Sequence, residues 1–417
     1  MPKYELLGKS LAYSFSPQIH GMLGAYRYSL RELPDDEAVA RYVKARSFAG
    51  CNVTIPYKQT VIPLCDKLDA RAAEIGSVNT LVNRMGFLTG YNTDYEGFAY
   101  MLARKGFSLQ GKTLLLLGDG ATAKTARAVA RDAGAAQILT ASRSPKDGAL
   151  SYADAQQLRD VDVIINTSPV GTYPNNGECP IDLSCFPSLT AVADVVYNPL
   201  KTRLVLEAEK RGIPATGGLP MLVEQAVAAA RLFTGQRFDE TDTERVLHAL
   251  QKKQACLILV GMPSSGKSRL GRAASVRLRK PFVDLDRALE KKAGKPIPRI
   301  FAEDGEEAFR RLESEVLAEE SKTPGRVLAT GGGVVLRPEN WYHLRQNGVV
   351  VFIDRPLQNL QTGGYRPLSK SPEVLAEMEA LRRPLYQAAA DATVPNTENF
   401  GRVLYNIVEA FHAFFDS

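Results

Sequence analysis

The chain has 417 residues, of which 45% are hydrophobic and 24% charged, a composition typical of two or three globular domains. Its 52 basic and 46 acidic residues are interspersed and give a net charge of +6, which argues against a nucleic-acid-binding arm and favours anionic small molecules. No apolar run reaches the ~18 residues of a membrane span, no signal-peptide pattern is present, and five scattered cysteines predict a cytoplasmic protein with reduced thiols.

The first predicted elements are two short strands that lead into polar turns. Residues 4–8 form the first strand, and Ser14 and Ser16 follow it. On spacing alone, the pattern favours capping of a helix at residues 17–26 over ligand contact for these serines. The second strand breaks at Pro56, where we expect a helix to begin.

Thr54 and Lys58 lie at the end of that second strand. A lone lysine is ordinarily a solvated surface residue, so its position alone does not identify a catalytic group. Residues 77–80 with Asn79, and residues 90–94 with Asp94, read as the polar endings of two more strands. Polar groups at strand ends suit a ligand crevice better than a core.

A buried strand at residues 113–117 leads into a glycine-rich turn and a helix at residues 124–133. The Gly-x-Gly-x-x-Ala spacing of the turn is typical of a dinucleotide pyrophosphate site, although one such turn is a weak signal. The next strand ends in Ser142 and Arg143. Because an arginine at this place suits a 2′-phosphate, the pattern favours NADP(H) over NAD.

Two further parallel-type strands end in polar loops, with Thr167 after residues 161–166 and Tyr197 after residues 191–195. A helix that carries Gln225 comes next. Strands alternate with helices, so this region is predicted to be doubly wound α/β.

The pair Thr241 and Glu244 has the spacing of a capping box. It predicts a last amphipathic helix and a domain boundary near residue 253.

Residues 261–268 have the spacing Gly, four residues, Gly-Lys-Ser, which is the phosphate-binding P-loop pattern. An apolar strand at residues 256–260 precedes it, and a helix at residues 269–279 follows. The loop amides and the helix N-terminus favour phosphate oxygens. Lys267 is expected to reach the outer phosphates of a nucleoside triphosphate, and Ser268 to ligate Mg²⁺.

Two pairs of charged residues follow the P-loop. Asp284 and Asp286 lie at a predicted strand end that would project both carboxylates outward, although a surface acidic pair is an alternative. Arg310 and Glu313 share one helix face, which an exposed ion pair explains equally well.

The rest of the second half contains candidate ligand contacts. Residues 331–333 are three glycines after a strand at residues 327–329, and they allow the backbone to approach a ligand closely. Arg366 lies in a glycine-rich segment typical of a mobile lid. Arg382 lies near a predicted helix break. Asp354 follows a strand that only superficially resembles a Walker B strand.

These segments together resemble two enzyme families. Residues 1 to about 253 resemble shikimate dehydrogenase, through Ser14-Phe15-Ser16-Pro17, Asn52-Val53-Thr54-Ile55-Pro56-Tyr57-Lys58, Val78-Asn79-Thr80, Asn92-Thr93-Asp94, Asn166-Thr167-Ser168-Pro169-Val170-Gly171, Tyr197-Asn198-Pro199-Leu200 and Met221-Leu222-Val223-Glu224-Gln225. The remainder resembles shikimate kinase, through the P-loop, Asp284-Leu285-Asp286, Phe309-Arg310-Arg311-Leu312-Glu313, Gly331-Gly332-Gly333, Arg366-Pro367-Leu368 and Arg382-Arg383-Pro384-Leu385-Tyr386.

The resemblance implies a fold class and a division into domains. The expected α/β fold is a shikimate-dehydrogenase-type substrate domain plus a Rossmann NADP domain, followed by a P-loop kinase α/β domain. The implied ranges are residues 1–95 with 221–252 for the substrate domain, 96–220 for the NADP domain, and 254–417 for the kinase domain.

For the first half, the resemblance implies reduction of the C3 ketone of 3-dehydroshikimate by NADPH to give shikimate. Lys58 and Asp94 would form the proton-transfer pair beside the reacting oxygen. The implied substrate contacts are Ser14, Ser16, Thr54, Asn79, Asp94, Tyr197 and Gln225, and the implied cofactor contacts are Gly118, Gly120, Ala121, Ala123, Ser142, Arg143 and Thr167.

For the second half, the resemblance implies transfer of the γ-phosphoryl group of ATP to the 3-hydroxyl of shikimate. Asp286 would contact that hydroxyl, Arg310 and Arg382 would clamp the carboxylate, and Arg366 would close over the phosphoryl group. The implied ATP contacts are Gly261, Ser264, Ser265, Gly266, Lys267 and Ser268, the Mg²⁺ contacts are Ser268 and, through water, Asp284, and the backbone contacts to shikimate are Gly331, Gly332 and Gly333.

A few positions depart from the family patterns. Ala121 stands where the dehydrogenases usually have glycine, and Asp119 would repel a pyrophosphate unless it points away, which predicts weaker NADPH binding. The kinase lid looks short, and Gln361 replaces an arginine that often stacks on adenine.

Two alternatives stay open at this point. The P-loop half could be a non-catalytic module that senses ATP or shikimate, or the first half could act on quinate. The expected partners are small-molecule substrates, without nucleic acid or membrane, and no residue stripe indicates an oligomeric state.

Overall fold

The computed structural model describes residues 2–24, 26–146, 148–361 and 371–416. The chain divides into two compact units, of which the first comprises Met1–Asn198 and Thr202–Leu250 and the second Pro199–Lys201 and Gln251–Ser417. No helix in the described ranges is both long and apolar enough to span a bilayer. All five cysteines are free thiols.

The first unit begins with a six-stranded mixed sheet in the order β2-β1-β3-β5-β6-β4. Its strands are β1 (Tyr4–Gly8), β2 (Tyr28–Glu32), β3 (Gly50–Val53), β4 (Lys67–Leu68), β5 (Thr80–Arg84) and β6 (Phe87–Tyr91), and its helices are α1 (Ser16–Leu23), α2 (Asp36–Lys44), α3 (Ala70–Ile75) and α4 (Asp94–Arg104). Because β5 runs antiparallel to both β3 and β6, the ends of β3 and β6 meet the start of β5 at one edge.

The first unit continues with a five-stranded parallel sheet in the order β11-β10-β9-β7-β8. Its strands are β7 (Thr113–Leu117), β8 (Gln137–Ala141), β9 (Val163–Asn166), β10 (Ala191–Asp194) and β11 (Ala215–Thr216), and its helices are α5 (Ala121–Asp132), α6 (Tyr152–Ala155) and α7 (Arg203–Lys210). The four leucines of β7 are fully buried, as expected for a central parallel strand covered on both faces.

Two long helices, α8 (Leu219–Thr234) and α9 (Glu240–Gln254), follow this sheet. The helix α8 packs back on elements of the first sheet. The hydroxyl of Tyr4 in β1 donates to the Phe233 carbonyl at 3.3 Å, and a Cβ added to Gly50 in β3 would collide with the Phe233 ring. The chain therefore leaves the six-stranded sheet after α4 and returns to it with α8.

The second unit is built on a parallel sheet in the order β13-β14-β12-β15-β16. Its strands are β12 (Cys256–Val260), β13 (Phe282–Asp284), β14 (Val327–Ala329), β15 (Gly348–Asp354) and β16 (Ala392–Pro395). Its helices are α10 (Lys267–Leu278), α11 (Leu285–Ala293), α12 (Ile297–Glu303), α13 (Gly305–Lys322), α14 (Asn340–Arg345), α15 (Pro372–Ala389) and α16 (Phe400–Asp416). The fully buried β12 leads directly into the P-loop.

Strand predictions from apolar runs are confirmed, with β1, β7, β8 and β12 at their expected bounds. Several predictions from short polar patterns are wrong. Phe15 occupies the N-cap of α1 and no side chain caps the helix, so Ser14 and Ser16 do not serve as predicted caps. Turns and a short 3-10 segment, Ile62–Leu64, follow Pro56 in place of a helix start.

Two other local predictions are also wrong. Residues 77–79 precede β5 and so begin a strand rather than end one. The cap of α9 is Asp239, whose Oδ1 accepts the backbone N–H of Thr241 at 2.9 Å, while Thr241 lies inside the helix. Glu244, the other half of the predicted capping box, pairs with Arg104 at 2.6 Å.

Candidate active sites

The first candidate site lies where the ends of β3 and β6 meet the start of β5. Lys58 follows β3, Asn79 precedes β5, and Asp94 is the first residue of α4. The Val53 N–H donates to the Asn79 carbonyl at 2.7 Å, and the Asn79 N–H donates to the Tyr91 carbonyl at 3.0 Å. These backbone bonds bring three side chains that are distant in sequence to one edge of the sheet.

Lys58, Asp94 and Asn79 form a hydrogen-bonded group with little access to water. Lys58 Nζ donates to Asp94 Oδ2 at 2.6 Å, and Asn79 Nδ2 donates to Asp94 Oδ1 at 2.9 Å. The side chains of Lys58 and Asp94 are 11% and 9% exposed. The N-terminus of α4 adds positive potential at the carboxylate. An ammonium group held in this way can exchange a proton with a substrate oxygen.

The orientation of the Asn79 amide is fixed by bonds to neighbours that the sequence analysis did not single out. Asn79 Oδ1 accepts the Thr93 N–H at 2.7 Å and the Thr80 hydroxyl at 3.0 Å. The amide nitrogen must then face Asp94. Thr93 stands next to Asp94 in a segment that carries the family resemblance. That position was the signal in the sequence that could have identified Thr93 as part of the site.

Gln225 reaches the same site from α8. Asn79 Nδ2 donates to Gln225 Oε1 at 3.5 Å, and Gln225 Nε2 donates to the Leu222 carbonyl at 2.9 Å. A Cβ on Gly97 in α4 would lie 2.5 Å from the Met221 carbonyl oxygen, so only glycine allows α4 and α8 to approach this closely.

The other predicted substrate contacts lie outside this hydrogen-bonded group, with Ser14 before α1, Ser16 at its first position, Thr54 after β3 and Tyr197 after β10. Ser14 Oγ donates to Ser16 Oγ at 3.2 Å, and the hydroxyl-bearing turn is held next to the loop after β10 by ring contact of Phe15 with Tyr197, centroids 5.3 Å apart. Burial raises the pKa of the Tyr197 phenol. Thr54 follows β3, where its N–H donates to the Leu7 carbonyl at 2.9 Å.

The glycine-rich turn after β7 fits a dinucleotide. Gly118 has φ of 109°, and a Cβ there would lie 3.1 Å from Thr167 Oγ1. Gly120 is the N-cap of α5 and faces open space, Ala121 begins the helix, and Ala123 is buried beneath it. Asp119 is exposed. The amides at this helix N-terminus are available to phosphate oxygens.

Ser142 and Arg143 follow β8, the strand beside β7. Ser142 Oγ is buried and has no hydrogen-bond partner within the described ranges, while Arg143 is exposed. A buried hydroxyl without a partner in the described ranges, beside an exposed guanidinium, is the arrangement that a ribose phosphate would complete. The residues present therefore fit NADP(H).

The second candidate site is the P-loop after β12. Gly261 and Gly266 have φ of 143° and 95°, conformations that favour glycine. Lys267 is the first residue of α10, and its Nζ donates to the Gly261 and Met262 carbonyls at 2.8 and 2.9 Å. Ser265 Oγ is buried with no hydrogen-bond partner in the described structure. The loop thus presents backbone and side-chain donors that fit a triphosphate.

The remaining P-loop residues line the same turn. Ser268 is exposed in the first turn of α10, where its hydroxyl is accessible to a metal ion. Ser264 has φ of 64°, and its Oγ donates to the Gln361 carbonyl at 3.1 Å. Arg366, the predicted lid residue, lies outside the described residues.

Asp284 and Asp286 are placed differently from the prediction. The strand β13 ends at Asp284, whose Oδ1 accepts the Arg287 N–H at 3.4 Å and so caps α11, while Asp286 lies in the first turn of that helix. Asp286 is exposed. Its Oδ1 would lie 3.0 Å from a Cβ on Gly331, which places it beside the three glycines.

The three glycines lie against charged side chains and the P-loop. A Cβ on Gly331 would collide with Glu313 Oε1, a Cβ on Gly332 would lie 2.8 Å from Pro263 of the P-loop, and a Cβ on Gly333 would collide with Arg310 Nη1. A side chain at Gly331 or Gly333 would displace a charged group, and one at Gly332 would press on the P-loop, so this arrangement requires glycine at all three positions.

Arg310 and Glu313 on α13 form a buried ion pair, and the alternative of an exposed pair is wrong. Arg310 Nη1 donates to Glu313 Oε2 at 2.7 Å, with side-chain exposures of 8% and 5%. Burial raises the pKa of Glu313, against the opposing effect of Arg310. Glu313 Oε1 has no hydrogen-bond partner in the described ranges.

Arg382, on α15, contacts the same segment of three glycines. The helix continues through Pro384, so the predicted helix break is wrong. Arg382 Nη1 donates to the Gly332 carbonyl at 3.1 Å, Nε lacks a partner among the described residues, and burial lowers the pKa of the guanidinium. Tyr386, which the sequence analysis did not select, donates to the Gly332 carbonyl from one turn later.

Asp354, at the end of the Walker-B-like strand, is engaged elsewhere. Arg383 donates to both of its oxygens, at 2.9 and 2.8 Å. A carboxylate held by a bidentate arginine is poorly placed to serve a metal ion.

Three family models match the chain. Residues 6–81 match the shikimate dehydrogenase substrate binding domain, residues 218–249 match the shikimate 5'-dehydrogenase C-terminal domain, and residues 263–412 match shikimate kinase.

Similar proteins of known sequence and structure match the first part of the chain. The shikimate dehydrogenase (NADP(+)) of Pelodictyon phaeoclathratiforme is 38% identical over 258 residues, which are 56% of this chain and 91% of that protein. The crystal structure of shikimate dehydrogenase 1 from Peptoclostridium difficile is 30% identical with a TM-score of 0.56, over 60% of this chain and 98% of that chain. A Thermus thermophilus shikimate 5-dehydrogenase solved in complex with NADP(H) and shikimate is also 30% identical, with a TM-score of 0.54 over 60% and 99% of the two chains.

Proposed function

Because the chain belongs to the shikimate dehydrogenase family and continues into a shikimate kinase domain, we propose that one polypeptide performs two consecutive reactions on one ring. It is a bifunctional shikimate-pathway enzyme that reduces 3-dehydroshikimate to shikimate with NADPH and phosphorylates shikimate with ATP and Mg²⁺. The observation that carries the proposal is that each unit contains a buried ion pair, Lys58–Asp94 or Arg310–Glu313, and a glycine loop suited to a nucleotide.

In the first reaction, bound NADPH supplies the hydride to the C3 carbonyl of 3-dehydroshikimate. We propose that Lys58 gives the proton to the C3 oxygen, while Asp94 keeps the ammonium group oriented through the 2.6 Å bond. Asn79 and Gln225 would hold the ring hydroxyls. Ser14 and Ser16 would hold the carboxylate, with Thr54 and Tyr197 nearby. Arg143 and Ser142 would hold the 2′-phosphate of the cofactor.

In the second reaction, bound ATP with Mg²⁺ supplies the phosphoryl group. We propose that Arg310 and Arg382 hold the shikimate carboxylate and that Asp286 contacts the 3-hydroxyl and takes its proton. Lys267 would neutralise the outer phosphates, with Ser268 and Asp284 on the metal ion. The Nε of Arg382 has no hydrogen-bond partner among the described residues, and this supports the assignment because a carboxylate would satisfy it.

The ranges of the domains follow from the same proposal. We assign residues 1–95 and 221–252 to the substrate domain of the dehydrogenase, 96–220 to the NADP domain and 254–417 to the kinase. The separate sheets and the return of α8 to the first sheet support this division.

A coupled assay tests the two activities. With 3-dehydroshikimate and NADPH, absorbance should report NADPH oxidation, and addition of ATP and Mg²⁺ should then release ADP. We expect Lys58→Ala to abolish NADPH oxidation but to leave ADP release from added shikimate intact, and Lys267→Ala to do the reverse. The exposed residues Lys67 and Lys291 supply matched alanine controls that should change neither rate.

Other outcomes would support different functions. If the wild-type chain oxidises NADPH but releases no ADP with shikimate, the P-loop unit is a sensing module. If quinate is oxidised with NADP⁺ faster than shikimate, the first unit is a quinate dehydrogenase.

A further inference from the structure

Asp194, at the end of β10, is a buried carboxyl that the proposed reaction does not use. Its exposure is 0%, and no basic side chain pairs with it in the described part of the chain. Three neutral donors satisfy it. The Thr202 hydroxyl donates to Oδ2 at 2.6 Å, and the Val196 N–H and Asn166 Nδ2 each donate to Oδ1 at 2.9 Å.

The three donors belong to three different segments at the carboxyl edge of the second sheet. Asn166 ends β9, Val196 precedes Tyr197 in the loop after β10, and Thr202 is the N-cap of α7. One carboxyl therefore joins the ends of two neighbouring strands and the start of a helix.

The Asn166 branch leads to the cofactor turn. Asn166 Oδ1 accepts the Ser168 N–H at 3.1 Å and the Ser168 hydroxyl at 2.7 Å. The intervening Thr167 donates its hydroxyl to the Leu117 carbonyl at 2.9 Å. A Cβ on Gly118 would lie 3.2 Å from the Ser168 N, so residues 167–168 form one wall of the glycine turn.

We propose that Asp194 is a positioning residue for NADPH binding, which acts through Asn166 to hold residues 167 and 168 against the turn at Gly118. Asp194 touches neither substrate nor cofactor. The inference rests on the proposed NADPH-dependent reaction. Without the acceptor at Asp194 Oδ1, Asn166 Nδ2 keeps only its 3.4 Å bond to the Val170 carbonyl, so the amide holds Ser168 less firmly and the wall of the pyrophosphate site is less well positioned.

The chemistry of the pocket supports an exchange to asparagine as the conservative variant. Burial raises the pKa of Asp194 to about 7, against the lowering effect of its three hydrogen bonds. An asparagine can accept from Asn166 and Val196 through Oδ1 and donate to Thr202 through Nδ2, as a protonated carboxyl does.

The test measures NADPH binding by fluorescence titration and dehydrogenase kinetics in the full chain. We expect Asp194→Ala and Asn166→Ala to raise the Kd and KM for NADPH by about tenfold or more, with a smaller change in kcat. Asp194→Asn should restore values within about twofold of wild type. Because the substitutions lie in the first unit, circular dichroism and the thermal transition of that unit report that each variant is folded, and kinase activity of the second unit gives the amount of chain.

Thr202→Val is the matched control, because it removes one bond to Asp194 on the branch that does not reach the cofactor turn. It should lower thermal stability and leave the Kd for NADPH unchanged. If Asp194→Ala does not fold, the Kd for NADPH of Asn166→Ala is compared with that of Thr202→Val, and this comparison tests the proposal.

Two results would overturn the inference: a wild-type Kd for NADPH in folded Asn166→Ala, or an equal rise in Thr202→Val. Failure of the wild-type chain to reduce 3-dehydroshikimate would count against the proposed function instead, since the titration measures cofactor binding separately.

Discussion

Each unit of the molecule has a short ion pair buried at its candidate site, and the two pairs differ in what they can do. Lys58 and Asp94 lie 2.6 Å apart, and Arg310 and Glu313 lie 2.7 Å apart, with all four side chains at most 11% exposed. The distance and burial are alike, so the residue types and the remaining partners decide the chemistry.

The first pair is suited to move a proton and the second to hold an anion. A lysine can lose its proton under protein conditions, whereas an arginine keeps its own and presents a planar fork. Both oxygens of Asp94 have donors, from Lys58 and Asn79. Glu313 instead leaves one oxygen without a partner in the described ranges, and we propose that a donor group of the ligand completes the cluster around Arg310.

Exchange of the cation in the first pair should give the largest effect. Lys58→Arg keeps the charge and the bond to Asp94 but removes the exchangeable proton, so dehydrogenase kcat should fall about 10³-fold or more. The KM for NADPH should change little. Kinase activity in the same chain is the control, and a loss of less than about tenfold in kcat would mean that Lys58 acts only through its charge.

A third buried carboxyl, Asp194, shows what happens without a cation. Burial raises its pKa from 3.8 to about 7. Because the folded-state pKa is raised, the folded chain favours the protonated carboxyl. This contribution to stability is fully present below pH ~4 and is lost as the pH rises through ~7, and it amounts to a total on the order of 4 kcal/mol. An asparagine at this position does not titrate. The difference in Tm between Asp194→Asn and wild type should therefore shift by about 5 °C in favour of the variant as the pH rises from ~5.5 to ~8.5.

Heat inactivation of the dehydrogenase, measured at several pH values, checks that difference. Inactivation of the kinase in the same samples gives the baseline. Parallel pH profiles for wild type and Asp194→Asn would show that Asp194 does not titrate in this range.

Exchange of the cation in the second pair should have an intermediate effect. Arg310→Lys keeps the charge but loses the fork that suits a carboxylate, so the KM for shikimate should rise about tenfold to hundredfold with less change in kcat. Arg311→Lys, at the adjacent exposed position, is the matched control. An equal fall in kcat at saturating shikimate would instead place Arg310 in the transfer step.

The sequence could predict the fold and could propose most of the candidate site residues because both depend on patterns that one segment carries. Apolar runs such as residues 113–117 and 256–260 need burial on both faces, whatever the rest of the chain does. The P-loop spacing likewise contains its own geometry. Lys58 was different, because its spacing alone favoured a surface role and only the family resemblance selected it.

The rest depended on contacts between segments that no local pattern contains. The direction of β5 placed Asn79 at a strand start, and this antiparallel pairing is what brings it to Lys58. The buried Arg310–Glu313 pair packs against two glycines of another segment, Gly331 and Gly333. The burial and bonding of Asp194 could not be predicted from its local sequence, because its three hydrogen-bond donors lie 2 to 28 residues away.

The smallest effect is expected from neutralising the acid of the second pair. In Glu313→Gln the amide oxygen can still accept from Arg310 Nη1. Because burial already raises the pKa of Glu313, the site disfavours the charged form, and the loss of that charge should cost little. The KM for shikimate should rise only about threefold to tenfold. The same change in the first pair, Asp94→Asn, should lower dehydrogenase kcat by about 10²-fold, because that carboxylate orients the proton donor. If the two amide variants lose activity equally and both in kcat, the distinction between a proton-moving pair and an anion-holding pair is wrong.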